Sequence, residues 1–419
     1  MNVYLIIILF IIIGSYLFNL IVEILNIKNL KPELPEEFKG DYDQKKYETS
    51  QVYLKENTRF DLLSDSVMTP IMIAFILLGG FNLIDRFARD FGFGSILTGL
   101  IYVGILMFIN QLIQLPLSIY HTFVIEEKYG FNKTTPRTFI FDLLKNWVLA
   151  LILGGAMLSL VLWFFEKTGP LAWLYCWVAI TLFQLFLAYV APVVILPIFN
   201  KFIPLPDGDL KNTIEDYART QNFKLKGIYS MDGSRRSTKA NAFFTGFGRF
   251  RRIVLYDTLI NKHTVDELVS VLAHEMGHYK KRHILKTLIL GILNIGIMFF
   301  ILSLFINNEG LFQAFKMQET SIYASLLFFA ILYAPIEMIL SLFSNFLSRK
   351  HEYEADHYAI KTFKKPEAMI SALKKLHVDS LSNLTPHPLM VVVSYSHPPI
   401  LDRIEAMKKT NKTSFEAST

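Results

Sequence analysis

Val3-Tyr-Leu-Ile-Ile-Ile-Leu-Phe-Ile-Ile-Ile-Gly-Ser-Tyr-Leu-Phe-Asn-Leu-Ile-Val22 contains no charged side chain. As a helix rising about 1.5 Å per residue, such a run crosses the roughly 30 Å of a bilayer's hydrocarbon core. It lacks the basic n-region and small-residue cleavage site of a secretory signal, so it reads as a retained anchor near 3–25. Six further apolar blocks lie near 66–85, 94–119, 147–165, 171–197, 284–306 and 321–348. The composition agrees. Hydrophobic residues make up 52% and charged residues 19%, with mean hydropathy +0.37, which excludes an ordinary soluble globular chain. The single Cys176 lies inside an apolar block, so neither an intramolecular disulfide nor a cysteine-based metal site is available.

Working outward from these blocks, Lys and Arg concentrate in alternate connections. Lys28, Lys31, Lys39, Lys45, Lys46, Lys55 and Arg59 fall between the first two blocks, and Lys128, Lys133, Arg137 and Lys145 between the third and fourth. Segment 198–283 and the C-terminal tail are richer still, while the other connections hold Arg86 and Arg89, Lys167, and Lys316. The positive-inside rule then places the N-terminus outside and the C-terminus in the cytoplasm, with all four basic segments on one side. The formal charge of +6 is explained by these loops and does not call for a nucleic-acid partner.

The organisation expected is a membrane region at 1–197, a soluble α/β segment at 198–283, two further spans at 284–348, and a C-terminal helical segment at 349–419. Within 198–283, Leu210–Asn222 reads as helix. Ile228–Met231, Ala242–Phe244 and Arg252–Tyr256 read as short strands. A capping box, Thr264-x-x-Glu267, then opens a helix that contains His274-Glu275-Met276-Gly277-His278. Histidines four residues apart share one helix face, so both imidazoles can bind one Zn²⁺, and Glu275 is placed to act as general base toward water at the metal. Ala273 and Gly277 permit close packing of that helix. His283, nine residues beyond His274, projects to the opposite face of a continuous helix and reads as a basic residue at the membrane surface.

A third ligand must come from elsewhere. Position 284 is Ile, so the metzincin extension is absent. Glu352 and Asp356 share a face where the seventh block ends, which suits Glu352 as ligand and Asp356 as the group orienting a ligand histidine. The same spacing reads equally well as a solvated charge run, and Glu354 points away from both.

These motifs together resemble the type I CAAX prenyl endopeptidases, integral-membrane zinc proteases of the gluzincin type. The resemblance rests on Phe123-Val-Ile-Glu-Glu-Lys-Tyr-Gly-Phe-Asn132, Asn241-Ala-Phe-Phe-Thr-Gly-Phe247, His274-Glu-Met-Gly-His278, Glu352-Tyr-Glu-Ala-Asp356, and Tyr395-Ser-His-Pro-Pro399 with Arg403, in that order along nearly the whole chain. It implies Glu352 as the third zinc ligand and His397 with Arg403 as donors to a developing oxyanion. It also implies that Asn241, Ala242 and Phe243 lie along an extended substrate, by β-augmentation. Without the resemblance, Asn241–Phe243 read first as an ordinary edge strand, and His397 with Arg403 read equally as a surface helix with a salt-bridging arginine. Glu354 stands where many relatives have Gln. The resemblance also implies a water-filled chamber enclosed by the spans, whose lining Glu337, Asn110, Gln111 and Gln114 fit; polar helix–helix contacts account for them equally well.

The fold expected is thus a mainly α membrane protein of seven transmembrane helices, with a small mixed α/β zinc protease portion facing the cytoplasm. The function expected is a zinc-dependent membrane endopeptidase, working as a monomer, that acts on protein or peptide substrates bearing a lipid. Its membrane is the endoplasmic reticulum in a eukaryote or the inner membrane in a bacterium. A quality-control membrane protease shares the metal site. A metal-binding transporter is the rival from another class, against which stand the absence of a visible repeat and the position of the metal motif outside the spans.

Overall fold

The computed structural model describes residues 2–245 and 252–416. Gly246 and Phe247 of the strand motif and the last three residues of the 349–419 segment lie outside them. Among the described residues, seven helices are long and apolar enough to span a bilayer: Val3–Lys28, Gln44–Leu77, Ser95–Glu126, Pro136–Lys167, Gly169–Phe199, His283–Phe305 and Ile322–Phe363. The Asn2 side chain caps the first, accepting from the Tyr4 N–H at 2.8 Å, and Ser321 caps the seventh.

Several helix ends lie outside the apolar blocks expected from the sequence, and two of these differences shape the architecture. The second span ends at Leu77 rather than near 85, because Gly79 takes a left-handed conformation (φ 77°) and a separate helix, Gly80–Arg89, follows. The seventh helix runs 42 residues, about 63 Å at the α-helical rise. That is twice the hydrocarbon core, so the turns from Arg349 to Phe363 project beyond it.

A four-stranded sheet sits at the same end of the molecule: β1 (Phe202–Pro204), β2 (Gly227–Met231), β3 (Ala242–Thr245) and β4 (Arg252–Tyr256). Its order is β1-β2-β4-β3, with β2 parallel to β4 and the other pairs antiparallel. β1 was not foreseen. Its three residues end on a proline, too short to show alternation. The sheet covers the metal helix, Val265–Lys280, through a core of Ile214, Ile253, Leu255, Leu268, Val269, Leu272 and Met276. Each such side chain, fully buried, is worth about 1.5–3 kcal/mol.

The motif at 123–132 joins the membrane helices to this sheet. After Gly130 (φ 76°) the chain turns back, and Asn132 forms an antiparallel bridge with Ser237. The Lys239 ammonium bonds Glu126 at 3.0 Å and the Tyr53 hydroxyl at 3.1 Å, and it sits 4.5 Å from the Phe131 ring centroid. Arg236 clasps both oxygens of Asp142 and the Phe199 carbonyl. The segment leading into β3, the strand nearest the metal helix, is therefore anchored to four separate spans.

Candidate metal centre

The capping box forms as its residue types require. The Thr264 N–H donates to Glu267 at 2.8 Å and the Glu267 N–H to the Thr264 hydroxyl at 3.4 Å. Glu267 also accepts from Lys375 and Ser371, fixing the metal helix to the helix Pro366–Asp379. One turn from its far end, Gly277 meets the seventh helix backbone to backbone. A Cβ there would stand 2.9 Å from the Ala355 Cα. Only glycine permits that approach, and the approach brings Glu352 and Asp356 over the histidines.

The ligand atoms of His274, His278 and Glu352 all lie within 4.8 Å of one another. His274 Nε2 and His278 Nε2 face each other at 3.1 Å. Glu352 Oε1 lies 3.1 Å from His278 Nε2, and Glu352 Oε2 lies 3.4 Å from His274 Nε2. Glu352 Oε2 is buried and makes no aligned hydrogen bond among the described residues. Two imidazole nitrogens and a carboxylate converge on one point, and Glu352 Oε2, although the Arg403 Nη1 lies 3.2 Å away, is left without an aligned hydrogen bond. The two-nitrogen, one-oxygen donor set fits a divalent metal with an open position.

Asp356, 2% exposed, accepts from His274 Nδ1 at 2.8 Å, which leaves the His274 Nε2 lone pair toward the centre. Arg403, from the C-terminal helix Ile400–Glu416, grips Asp356 in a bidentate pair at 2.7 and 2.8 Å. Its remaining Nη1 lies 3.2 Å from Glu352. His397 lies in the loop before that helix, with Nε2 3.5 Å from Glu352 Oε1, and its side chain is 64% exposed. Glu275 is half-buried beside the two histidines and has no hydrogen-bond or ion-pair partner among the described residues. Asn241, Ala242 and Phe243 lie on and just before β3, the end strand of the sheet.

His283 is where the sequence reading fails. It is 2% exposed, with Nδ1 3.1 Å from His278 Nδ1 and Nε2 3.0 Å from Glu354. The reason is a break in the helix. Arg282 is left-handed (φ 58°), so the phase counted from His274 is lost and His283 starts a new helix, folded back beneath His278. No glycine or proline marks this break. Glu354, set aside in the sequence as pointing away, is drawn in through His283.

Desolvation opposes charge on buried His274, but the adjacent Asp356 and Glu352 carboxylates outweigh this and raise its pKa from 6.5 to about 9. The centre favours a positive charge, proton or metal. A raised folded-state pKa contributes stability that is whole below about 6.5 and lost as pH rises through about 9. Metal-stripped protein is therefore expected to melt at progressively lower temperature across that window, and metal-loaded protein to show no such decline. Parallel melting curves of the two forms against pH check this.

A helical membrane fold enclosing a His-His-Glu centre defines the class: an integral-membrane metallopeptidase. Comparison with known proteins fixes the family. Residues 23–201 match the model of the CAAX prenyl protease N-terminal region, five membrane helices, and residues 204–411 match peptidase family M48. The CAAX prenyl protease 1 homologue of Arabidopsis thaliana is 34% identical, covering 95% of this chain and 96% of its own. The human homologue is 31% identical, covering 90% and 88%. The crystal structure of S. mikatae Ste24p superposes with a TM-score of 0.92 at 32% identity, over 96% of this chain and 99% of that one. The chain belongs to the CAAX prenyl protease 1 family of M48 peptidases and is a multi-pass membrane metalloendopeptidase.

Proposed function

We propose that the metal is one Zn²⁺ held by His274, His278 and Glu352, and that the substrates are proteins ending in a prenylated Cys-a-a-X box. The observation that carries the first part is the convergence of the ligand atoms of two buried or half-buried histidines and one buried glutamate within 4.8 Å of one another. The substrate class rests on the names of the relatives, curated as CAAX prenyl proteases.

Zinc, when bound, supplies Lewis acidity that polarises a carbonyl and lowers the pKa of water toward 7. The protein's own groups do the rest. Glu275, next to both histidines on the helix, takes a proton from the attacking water and returns it to the leaving amine. His397 and the Nη1 of Arg403 donate to the oxygen that gains charge. Asp356 holds His274 in the tautomer that presents Nε2. Asn241, Ala242 and Phe243 align an extended peptide along β3.

The prenyl chain lies in the membrane region while its peptide reaches the centre. Glu337 is exposed on the seventh span. A carboxylate there is costly against lipid, which supports a hydrated chamber between the spans. In this reading residues 1–197 and 284–348 enclose the substrate, 198–283 carries the metal helix, and 349–419 completes the site. The protein works as a monomer, with its N-terminus outside and its C-terminus cytoplasmic, in the endoplasmic reticulum of a eukaryote or the inner membrane of a bacterium.

Purified protein assayed on a farnesylated Cys-a-a-X peptide, its unlipidated twin and a generic unfolded protein is expected to cleave the lipidated peptide fastest. A chelator should stop all cleavage. Equal rates on the three substrates would favour a quality-control protease instead.

A further inference from the structure

His278 has its own orienting arm, separate from the one that serves His274. Its Nε2 faces His274 and Glu352, while its Nδ1 faces His283 Nδ1 at 3.1 Å. Two imidazole nitrogens at that distance share a single proton. If His278 offers a lone pair at Nε2, its proton sits on Nδ1 and is donated to His283. His283 then accepts at Nδ1 and must carry its own proton at Nε2. That atom lies 3.0 Å from Glu354 Oε2, which can only accept. The carboxylate thus sets the tautomer of His283, and His283 sets that of His278.

The geometry is held from two further sides. The His283 ring stacks on His351, with centroids 3.9 Å apart and planes 9° from parallel, and both rings are buried. The left-handed Arg282 aims His283 back at His278. Neither His351 nor Glu354 is near enough to the three converging ligand atoms to belong among them.

We propose that His283 and Glu354 are positioning residues for His278, a relay from carboxylate through imidazole to ligand that fixes the ring's orientation and raises its basicity toward the metal. The proposal rests on His278 being a ligand. Groups that orient ligand histidines typically change metal affinity 10–100-fold when removed.

The test is equilibrium competition for Zn²⁺ between the purified full-length protein in detergent and a chelator of known affinity. Wild type is compared with His278→Ala, His283→Ala, Glu354→Ala and Glu354→Gln. Glu354→Ala and His283→Ala are expected to weaken zinc binding roughly 10–100-fold. Glu354→Gln keeps an oxygen acceptor for His283 and is expected to recover most of that loss. Because His283 is buried, its alanine variant can fail through misfolding. Glu354, with its side chain 32% exposed, is the safer probe, and the metal-free melting temperature of Glu354→Ala should match wild type. Wild-type zinc affinity in Glu354→Ala, while His278→Ala loses zinc, would overturn the relay alone. Unchanged affinity in His278→Ala would overturn the ligand assignment, and the relay with it.

Discussion

Glu275→Gln is expected to lower peptide-bond hydrolysis roughly 10²–10⁴-fold, the range for loss of a positioned general base, with metal content unchanged. Gln preserves the size of the side chain and removes its ability to take a proton at neutral pH. The site tolerates the change because Glu275 is half-buried and has no ion-pair or hydrogen-bond partner among the described residues, so no buried charge is left uncompensated. The loss should appear in turnover, with KM for a lipidated peptide little altered. Single-turnover cleavage, with bound metal measured on the same sample, checks both halves. Cleavage at the wild-type rate by a fully metal-loaded Glu275→Gln protein would remove Glu275 from the mechanism.

Arg403→Ala is expected to act chiefly through stability and metal retention. Arg403 is 5% exposed, makes both hydrogen bonds of a bidentate pair with Asp356, and lies 3.2 Å from Glu352. Removing it leaves two carboxylates buried with one cation fewer. Breaking a buried pair in this way costs on the order of 3–5 kcal/mol. Asp356 then no longer has a fixed position from which to orient His274, so metal affinity falls together with stability. Arg403→Lys should recover little, because an ammonium cannot reproduce the planar two-pronged contact. Thermal unfolding in detergent with metal in excess separates the two effects. If Arg403→Ala melts with wild type and only turnover falls, the guanidinium serves the reacting oxygen alone.

The contrast between these residues shows what kind of information each carries in the chain. Glu275 could be assigned a role in the sequence because it sits inside a five-residue pattern whose spacing matches one helical turn. Arg403 was placed near the site only through a family resemblance, and its bidentate grip on Asp356 was not foreseen. Asp356 and His274 are 82 positions apart, and no local periodicity couples them. His283 was misplaced for a different reason. Helical phase carries through Lys281 and Arg282 in the sequence, and a left-handed arginine without glycine or proline gives no warning of a break.

What the sequence determined by itself is what depends on neighbours along the chain. Runs such as Val3–Val22 need a bilayer, because their backbone and side chains have no better solvent. The capping box starts a helix, because its two side chains satisfy orphan N–H groups within one turn. His274 and His278 share a face, because 3.6 residues make a turn. The tertiary structure alone decided how Gly277 lets the seventh helix approach to backbone contact, which carboxylate faces which imidazole, and how His283 and Glu354 come to lie behind His278. Those contacts form only where separate helices meet, and their register is set by packing that no short stretch of the chain encodes.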